Sequence, residues 1–126
     1  MQRQTIDALL STARARLARV EPDQLEAELE DGALVIDIRP VEQRQGDGAL
    51  PHAIVIDRNV LEWRLDPASP NRIDEVIDWD QRIILVCNEG YSSSLAAATL
   101  QDLGLHRATD LVGGYQAWRA RLRAPR

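Results

Sequence analysis

Cys87 is the residue whose type and surroundings best suit nucleophilic chemistry. It follows the apolar run of residues 83–86 and precedes a polar, glycine-containing segment formed by Asn88, Glu89, Gly90, Tyr91, Ser92 and Ser93. A thiolate is the nucleophilic form of cysteine, and free amides at a helix N-terminus stabilise an anion. A turn at Gly90 would curl such amides around the sulfur, which predicts a reactive thiol in an anion-binding loop. A buried structural cysteine is the alternative, and the position at a strand end favours it about equally.

Two arginines are candidates for supplying positive charge at the rim of this site. Arg39 and Arg58 each follow a predicted strand. We interpret Arg39 as structural, like the nearby Asp37, because an arginine fork suits pairing with Glu42 or another neighbouring carboxylate. Arg58 is our hypothesis for a substrate contact, with a solvated surface charge as the equal alternative.

The remaining polar and aromatic candidates form no recognisable constellation. His52 and His106 are interpreted as structural or surface residues, since nothing in the sequence pairs either with the cysteine. The tryptophans at positions 63, 79 and 118 are too widely spaced for a motif, and we expect them in the core or at its edge. The single cysteine excludes an intramolecular disulfide and leaves too few thiolates for a cysteine-rich zinc site.

The elements that must position the cysteine alternate between strand and helix. Short apolar runs predict strands at residues 33–38, 54–56, 83–86 and 109–112. The spacing of apolar residues predicts an amphipathic helix near residues 5–18. Spacing together with residues typical of helix ends predicts further helices at residues 22–31, from 92–94 to 103, and after 114. Residues 62–80 are interpreted as a solvated loop or short helix. This alternation predicts an α/β domain, a central parallel sheet flanked by helices on both faces. In an open parallel sheet, ligands bind outside the carboxyl ends of the strands, and Cys87 directly follows one such end.

Length and charge restrict the class of protein further. A chain of 126 residues fits one compact domain. We divide it into an extra N-terminal amphipathic helix (residues 1–20) and the main domain (residues 21–126). The formal charge of -5 argues against a broad basic face for nucleic acid. Arginines interrupt the apolar residues of the N-terminus, so we predict neither a signal peptide nor a membrane span, and a cytoplasmic location.

Four segments in order resemble the rhodanese family, over roughly residues 21 to 122. Asp37-Ile38-Arg39-Pro40 followed by Glu42 is similar to the first-strand motif of that family. Residues 48–53 (GALPHA) resemble its Gly-His-Ile-Pro-Gly-Ala segment, with His52 in place of glycine. Residues 87–92 (CNEGYS) resemble its six-residue active loop, and residues 111–118 (LVGGYQAW) its C-terminal signature. Each match is modest alone, but four in the same order are specific.

The resemblance implies a single rhodanese-like domain that acts as a sulfurtransferase. In that mechanism Cys87 attacks the outer sulfur of a donor, holds it as a persulfide and passes it to a thiol or another nucleophilic acceptor. The partners would be a small-molecule or protein persulfide donor and a thiol acceptor, without a metal or organic cofactor. The amides of residues 88–92 would stabilise the anionic sulfur, and Ser92 or Ser93 could donate a hydroxyl hydrogen bond.

The active loop departs from the family pattern in its charge. Family members that turn over thiosulfate commonly carry basic residues in this loop. Here Asn88, Tyr91 and Ser92 are uncharged and Glu89 is acidic. By this electrostatic argument we expect thiosulfate, a small dianion, to be a poor substrate.

Other functions remain as alternatives. A cysteine phosphatase would need an arginine six residues beyond the cysteine, to clamp the phosphoryl group, but Ser93 occupies that position. A non-enzymatic redox-sensing or protein-binding module of the same fold is the stronger alternative, because an exposed thiolate is oxidised as readily as it is sulfurated. The apolar stripe of the N-terminal helix suits packing on the core, our preferred interpretation, or a homodimer surface.

Overall fold

The computed structural model describes residues 3–122, which form four strands and six α-helices in alternation. The strands are β1 (Leu34–Asp37), β2 (Ile54–Val55), β3 (Ile83–Val86) and β4 (Ala108–Asp110). The helices are α1 (Ile6–Ala15), α2 (Leu25–Glu30), α3 (Val41–Asp47), α4 (Leu61–Leu65), α5 (Ser92–Leu103) and α6 (Gly114–Leu122). Short 3₁₀ turns at Pro22–Gln24 and Arg58–Val60 precede α2 and α4.

The strands form one parallel sheet in the order β2-β1-β3-β4. In register, Asp37 of β1 lies beside Val86 of β3, and Leu85 of β3 lies beside Asp110 of β4. The carboxyl ends of β1, β3 and β4 therefore meet at one edge of the sheet. That edge carries the loop that begins with Cys87, as expected for a ligand site in an open parallel sheet.

The sheet is buried on both faces because its side chains alternate between two apolar clusters. Ile36, Ile83 and Leu85 face one cluster, which also contains Ala96, Ala97 and Leu100 of α5. Val35, Ile84 and Val86 face the other cluster, with Leu25 of α2 and Tyr115 of α6. Two-sided burial explains why β1 and β3 appear in the sequence as continuous apolar runs. The predicted α/β architecture, with a parallel sheet and an N-terminal helix, is confirmed.

The N-terminal helix packs against α5, the helix that follows the active loop. The Thr5 hydroxyl accepts a hydrogen bond from the Ala8 amide (3.0 Å) and caps α1. Leu10 and Ala13 are its buried side chains, whereas Ile6 and Leu9 are exposed. Beyond the helix, Val20 pairs with Leu111 in an isolated parallel bridge. The N-terminal segment is thus attached next to β4 as well as to α5.

Two sequence expectations differ from the structure. Helix α3 lies where no helix was predicted, because its sequence VEQRQGD offers no apolar face and none of its residues is buried. The expectation that the tryptophans lie in the core or at its edge is wrong for Trp63 and Trp79, which are 59% and 40% exposed. Among residues 3–122, no helix is long and apolar enough to span a bilayer.

Candidate active site

Cys87 lies between the end of β3 and the start of α5, with only 6% of its surface exposed. Its sulfur faces a ring of donors contributed by its own loop. The amides of Gly90 and Ser93 donate to Cys87 Sγ at 3.1 and 3.4 Å. The Ser93 hydroxyl oxygen lies 3.2 Å from the same sulfur. Of the amides expected to stabilise the sulfur, those of residues 88–92, the Gly90 amide makes this contact, and the Ser93 amide adds a second donor from just beyond that range.

This environment favours the anionic form of the cysteine. Burial raises the pKa of the Cys87 thiol, because a thiolate is poorly solvated in the interior. Hydrogen bonds from the hydroxyls of Ser93 and Ser92 and from the amides of Ser93 and Gly90 act in the opposite direction and outweigh burial. The pKa of Cys87 therefore lies below its ordinary value, as a nucleophilic thiol requires.

The loop can close around the sulfur only because glycines stand at its points of closest approach. Gly90 adopts φ +84°, and a Cβ there would lie 2.7 Å from the Gly113 amide nitrogen. Gly114 adopts φ +62°, and a Cβ there would lie 2.5 Å from the Cys87 carbonyl oxygen. Both sites combine a left-handed backbone with contacts that side chains do not tolerate. The double glycine at the start of α6 is therefore part of the active loop's packing.

The N-terminus of α6 fixes the first residues of the active loop. The Tyr115 amide donates to the Cys87 carbonyl (2.9 Å), and the Gln116 amide donates to the Asn88 carbonyl (3.0 Å). The Gln116 side chain also donates to Asn88 Oδ1 (3.0 Å). The C-terminal signature segment thus acts on the site through the backbone of the loop.

An open cavity of about 410 Å³ leads to Cys87 from solvent. Its lining comes from the end of β1, the start of α3 and the active loop, and consists of Ile38, Arg39, Pro40, Gln43, Cys87, Asn88, Glu89, Tyr91 and Ser92. Glu89, Tyr91 and Ser92 are exposed at the mouth. Arg39 is the sole basic residue of this lining.

Arg39 is committed to contacts within the protein. Its guanidinium pairs with the buried Asp37 carboxylate (2.8 Å), donates to the Gly48 carbonyl (3.0 Å) and stacks over the Tyr115 ring at 3.8 Å. The partner is thus Asp37 rather than Glu42. These contacts tie the end of β1 to α6 and to the end of α3, and they offset the Arg39 charge beside the cavity.

Other residues considered from the sequence lie apart from the sulfur. Arg58 pairs with Glu62 on the surface (2.9 Å) and does not belong to the cavity lining. His106 contacts Asp80 in an exposed pair. His52 is the one non-glycine residue with positive φ (+65°) among the described residues. His52 therefore has the left-handed backbone conformation that glycine, the residue of the family segment at this position, adopts readily.

Behind the active loop lies a polar network that the sequence analysis did not predict. The carboxylate of Asp110, fully buried at the end of β4, accepts hydrogen bonds from the Ser93 and Ser94 hydroxyls, both at 2.7 Å. Arg19 pairs with it at 2.8 Å. The guanidinium groups of Arg14 and Arg19 also donate to the Gly90 carbonyl at 2.7 and 3.1 Å.

One sequence signal was available for this network. A charged residue inside a predicted buried strand, as Asp110 is, requires partners, because an isolated buried carboxylate is strongly unfavourable. Its partners could not be chosen from sequence, since Arg19 lies 91 positions away along the chain. Within residues 3–122, no group of three or more Cys, His, Asp or Glu side chains is placed to hold a metal ion.

The fold and this loop define an α/β domain with a cysteine held in an anion cradle at the carboxyl edge of its sheet. The model of the rhodanese-like domain matches residues 21–121, and the chain belongs to that family. The predicted family resemblance is confirmed.

Named relatives support a rhodanese-family sulfurtransferase. The thiosulfate sulfurtransferase GlpE of Pseudomonas fluorescens is 31% identical over 102 residues, which cover 81% of this chain and 84% of the relative. GlpE of Pseudomonas savastanoi is 29% identical, covering 81% of this chain and 87% of the relative.

Solved structures share the fold. A Rhodopseudomonas palustris protein of unknown function, RPA3614, described as a possible tyrosine phosphatase, superposes with a TM-score of 0.83. It is 29% identical, and the match covers 99% of this chain and 96% of that one. The human single-domain sulfurtransferase TSTD1 superposes with a TM-score of 0.69 at 24% identity, over 82% of this chain and 96% of its own.

Proposed function

We propose that this protein moves a sulfane sulfur from a donor to a thiol acceptor through a persulfide on Cys87. The observation that carries the proposal is the cradle of Gly90 and Ser93 amides around a buried sulfur whose pKa is lowered. Preorganised amide donors stabilise negative charge without reorganisation during the reaction. The names of the GlpE relatives point to the same chemistry.

The transfer consists of two displacements at sulfur. The Cys87 thiolate attacks the outer sulfur of the donor, so that a new S–S bond forms while the donor's own bond to that sulfur breaks and its remainder leaves with the electron pair. An acceptor thiolate then attacks the outer sulfur of the persulfide and releases the Cys87 thiolate. The cycle has no net oxidation or reduction and needs no cofactor.

The cavity's charge favours a donor other than a small dianion. Glu89 stands at the mouth, and the positive charge of Arg39 is paired with Asp37. Thiosulfate would meet the Glu89 carboxylate without an exposed cation among the cavity residues, since the Arg39 side chain is buried, so Coulomb repulsion slows its binding. A persulfide on a low-molecular-weight thiol or on a protein carries less charge at the reacting end and suits this opening better.

Intact mass spectrometry tests the proposal directly. Purified protein and the Cys87→Ser variant are incubated with thiosulfate, mercaptopyruvate, glutathione persulfide or a protein persulfide, and a thiol acceptor is then added. We expect a mass increase of one sulfur atom that depends on Cys87 and disappears with the acceptor. If a folded, reduced sample gains no sulfur from any donor, the proposal is wrong and a redox-sensing or binding module replaces it.

A phosphatase is the second candidate, because the structurally similar RPA3614 is described as a possible tyrosine phosphatase. Ser93 occupies the position where the phosphate-binding loop needs an arginine, and it hydrogen-bonds inward to Asp110 rather than toward the cavity mouth. A phosphoryl group in this cavity would lack its bidentate clamp. We therefore expect no measurable hydrolysis of p-nitrophenyl phosphate, and Cys87-dependent hydrolysis would reverse this order of preference.

A further inference from the structure

The buried carboxylate behind the active loop, Asp110, takes no part in the two displacements. Its Oδ2 atom accepts the Ser93 and Ser94 hydroxyls, each at 2.7 Å. Its Oδ1 atom accepts Arg19 Nε at 2.8 Å. Burying a carboxylate is costly unless it is paired and hydrogen-bonded, so the position of each partner affects the energy of this network.

The Ser93 hydroxyl connects Asp110 to the reacting sulfur. A serine hydroxyl has one hydrogen to donate, and Ser93 Oγ has two acceptors within reach: Asp110 Oδ2 at 2.7 Å and Cys87 Sγ at 3.2 Å. When Cys87 is a thiol, its S–H donates to Ser93 Oγ and Ser93 donates to Asp110, which satisfies all three groups. When Cys87 is a thiolate, it can only accept, and both anions compete for the Ser93 hydrogen.

If the Ser93 hydroxyl turns its hydrogen away from Asp110, the carboxylate is still hydrogen-bonded. It keeps the Ser94 hydroxyl and the Arg19 guanidinium as donors. The thiolate, after its own proton has left to solvent water, gains a charge-assisted hydrogen bond in addition to the amides of Gly90 and Ser93. The hydrogen-bonding options of the network therefore change with the charge of Cys87.

We propose that Asp110 is a positioning residue that competes with Cys87 for the Ser93 hydrogen, so that this hydrogen turns to the sulfur when the thiolate forms and returns to Asp110 when it is protonated. The inference rests on the proposed function, in that Cys87 is the nucleophile. It assigns Asp110 a moderating role: the carboxylate sets how much the Ser93 hydroxyl stabilises the thiolate.

Other charged and titratable groups near Cys87 must be separated from this effect. They are Arg14 and Arg19 from the N-terminal segment, Asp37 and Arg39 at the end of β1, Glu89 and Tyr91 in the loop, and Asp110 on β4. Arg39 pairs with Asp37, and Arg19 pairs with Asp110. Removing the Asp110 charge alone would also stabilise a nearby thiolate, so the test must distinguish charge from hydrogen bonding.

The Asp110→Asn substitution turns the acceptor at the serines into a donor. Arg19 donates to both carboxylate oxygens, from Nε to Oδ1 at 2.8 Å and from Nη2 to Oδ2 at 3.2 Å. The shorter contact favours the amide oxygen at the Oδ1 position, so we expect the new NH₂ group at the Oδ2 position, where it displaces Arg19 Nη2 and donates to Ser93 and Ser94. The Ser93 hydrogen then has only the sulfur as acceptor. We expect the pKa of Cys87 to fall in Asp110→Asn and to rise in Ser93→Ala.

The experiment measures the pH dependence of Cys87 alkylation by iodoacetamide in four proteins: wild type, D110N, S93A and the double variant D110N/S93A. At pH values where the thiolate fraction limits the rate, we expect D110N to react about fivefold faster than wild type and S93A about fivefold slower, the effect of one hydrogen bond. In the S93A background, D110N retains only its charge effect, so its acceleration should be clearly smaller. An equal acceleration in both backgrounds, or none in either, overturns the proposal.

Ser94→Ala provides a second measurement that keeps the Asp110 charge. Without the Ser94 hydroxyl, Asp110 has one donor fewer and holds the Ser93 hydrogen more strongly. Less of the Ser93 hydrogen bond is then available to the thiolate, so we expect slower alkylation at low pH. Unchanged or faster alkylation in folded S94A contradicts the proposal even if D110N fails to fold. Alkylation needs no sulfur donor, so the two proposals can fail separately. If Cys87 forms no persulfide, only the proposed function is rejected. If sulfur transfer is normal but the alkylation rates of the variants do not follow the expected order, only the role of Asp110 is rejected.

Discussion

The two sides of the active loop are built differently. Its outer side, formed by Asn88, Glu89, Tyr91 and Ser92, lines an open cavity and carries an acidic side chain at the mouth. Its inner side, residues 93 and 94, is buried against Asp110, which pairs with Arg19. We expect the inner side to act mainly on the protonation of the sulfur and the outer side mainly on the approach of a donor. Substitutions on the two sides should therefore affect different measurements.

The largest expected effect tests whether the loop's curvature is essential. Gly90→Ala introduces a Cβ 2.7 Å from the Gly113 nitrogen at φ +84°, so the cradle must open. We expect sulfur transfer to fall by about 100-fold or more and the free energy of unfolding to drop by about 2–4 kcal/mol. Gly32→Ala is the matched control, because its φ of +96° is equally strained but no atom lies within 4 Å. Equal activity losses in both variants would refute the role of the close contact.

The next prediction compares a buried ion pair behind the loop with a more exposed, partly buried one. Arg19→Met leaves the buried Asp110 carboxylate without its cation, and we expect the free energy of unfolding in urea to fall by about 2–4 kcal/mol. Arg58→Met breaks the pair with Glu62 at the surface, where we expect a change below about 0.5 kcal/mol. Similar losses for both variants would contradict this difference between the pairs.

A third prediction concerns the charge at the mouth of the cavity. Glu89→Lys should raise kcat/KM for thiosulfate by about 3- to 10-fold at low salt, and the gain should shrink at high salt because the Debye length falls. Glu30→Lys, at an exposed residue at the end of α2, makes the same change in total charge and is the control. An increase in both variants, or one independent of salt, would show that Glu89 does not act through local repulsion.

A fourth prediction uses pH to compare the hydroxyls on the two sides. Both the Ser93 and the Ser92 hydroxyls lower the pKa of Cys87, with Ser93 the larger contributor. Ser92→Ala should therefore shift the acid limb of the alkylation rate to higher pH, since protonation removes the thiolate as pH falls, and Ser93→Ala should shift it further. The reverse order would place the dominant hydroxyl on the outer side.

The smallest expected effect lies outside the loop. His52 adopts φ +65°, which costs a non-glycine residue about 1 kcal/mol. His52→Gly should relieve this strain and raise the melting temperature slightly, with sulfur transfer unchanged. A loss of transfer activity would instead give this histidine a role that its position does not indicate.

Local patterns in the sequence predicted the features that depend on neighbouring residues. The apolar run of β3, the cysteine that follows it and the start of α5 lie within a dozen residues, so their order alone places the thiol at the edge of a parallel sheet. Helix α3 was missed because it buries no residue, and hence has no apolar period to detect. The N-terminal arginines were used only as an argument against a signal peptide, although one of them, Arg14, donates to the Gly90 carbonyl.

The amino-acid sequence by itself determined that the single cysteine follows a buried strand, the alternation of strands and helices, and the lack of basic residues in the loop. Only the tertiary structure decided which charges meet: Arg39 with Asp37, Arg58 with Glu62, and Arg19 with Asp110. The physical reason is that the energy of a charge depends on its burial and on its nearest partners. For Arg19 and Asp110, 91 positions apart, these are set by the packing of the N-terminal segment beside β4.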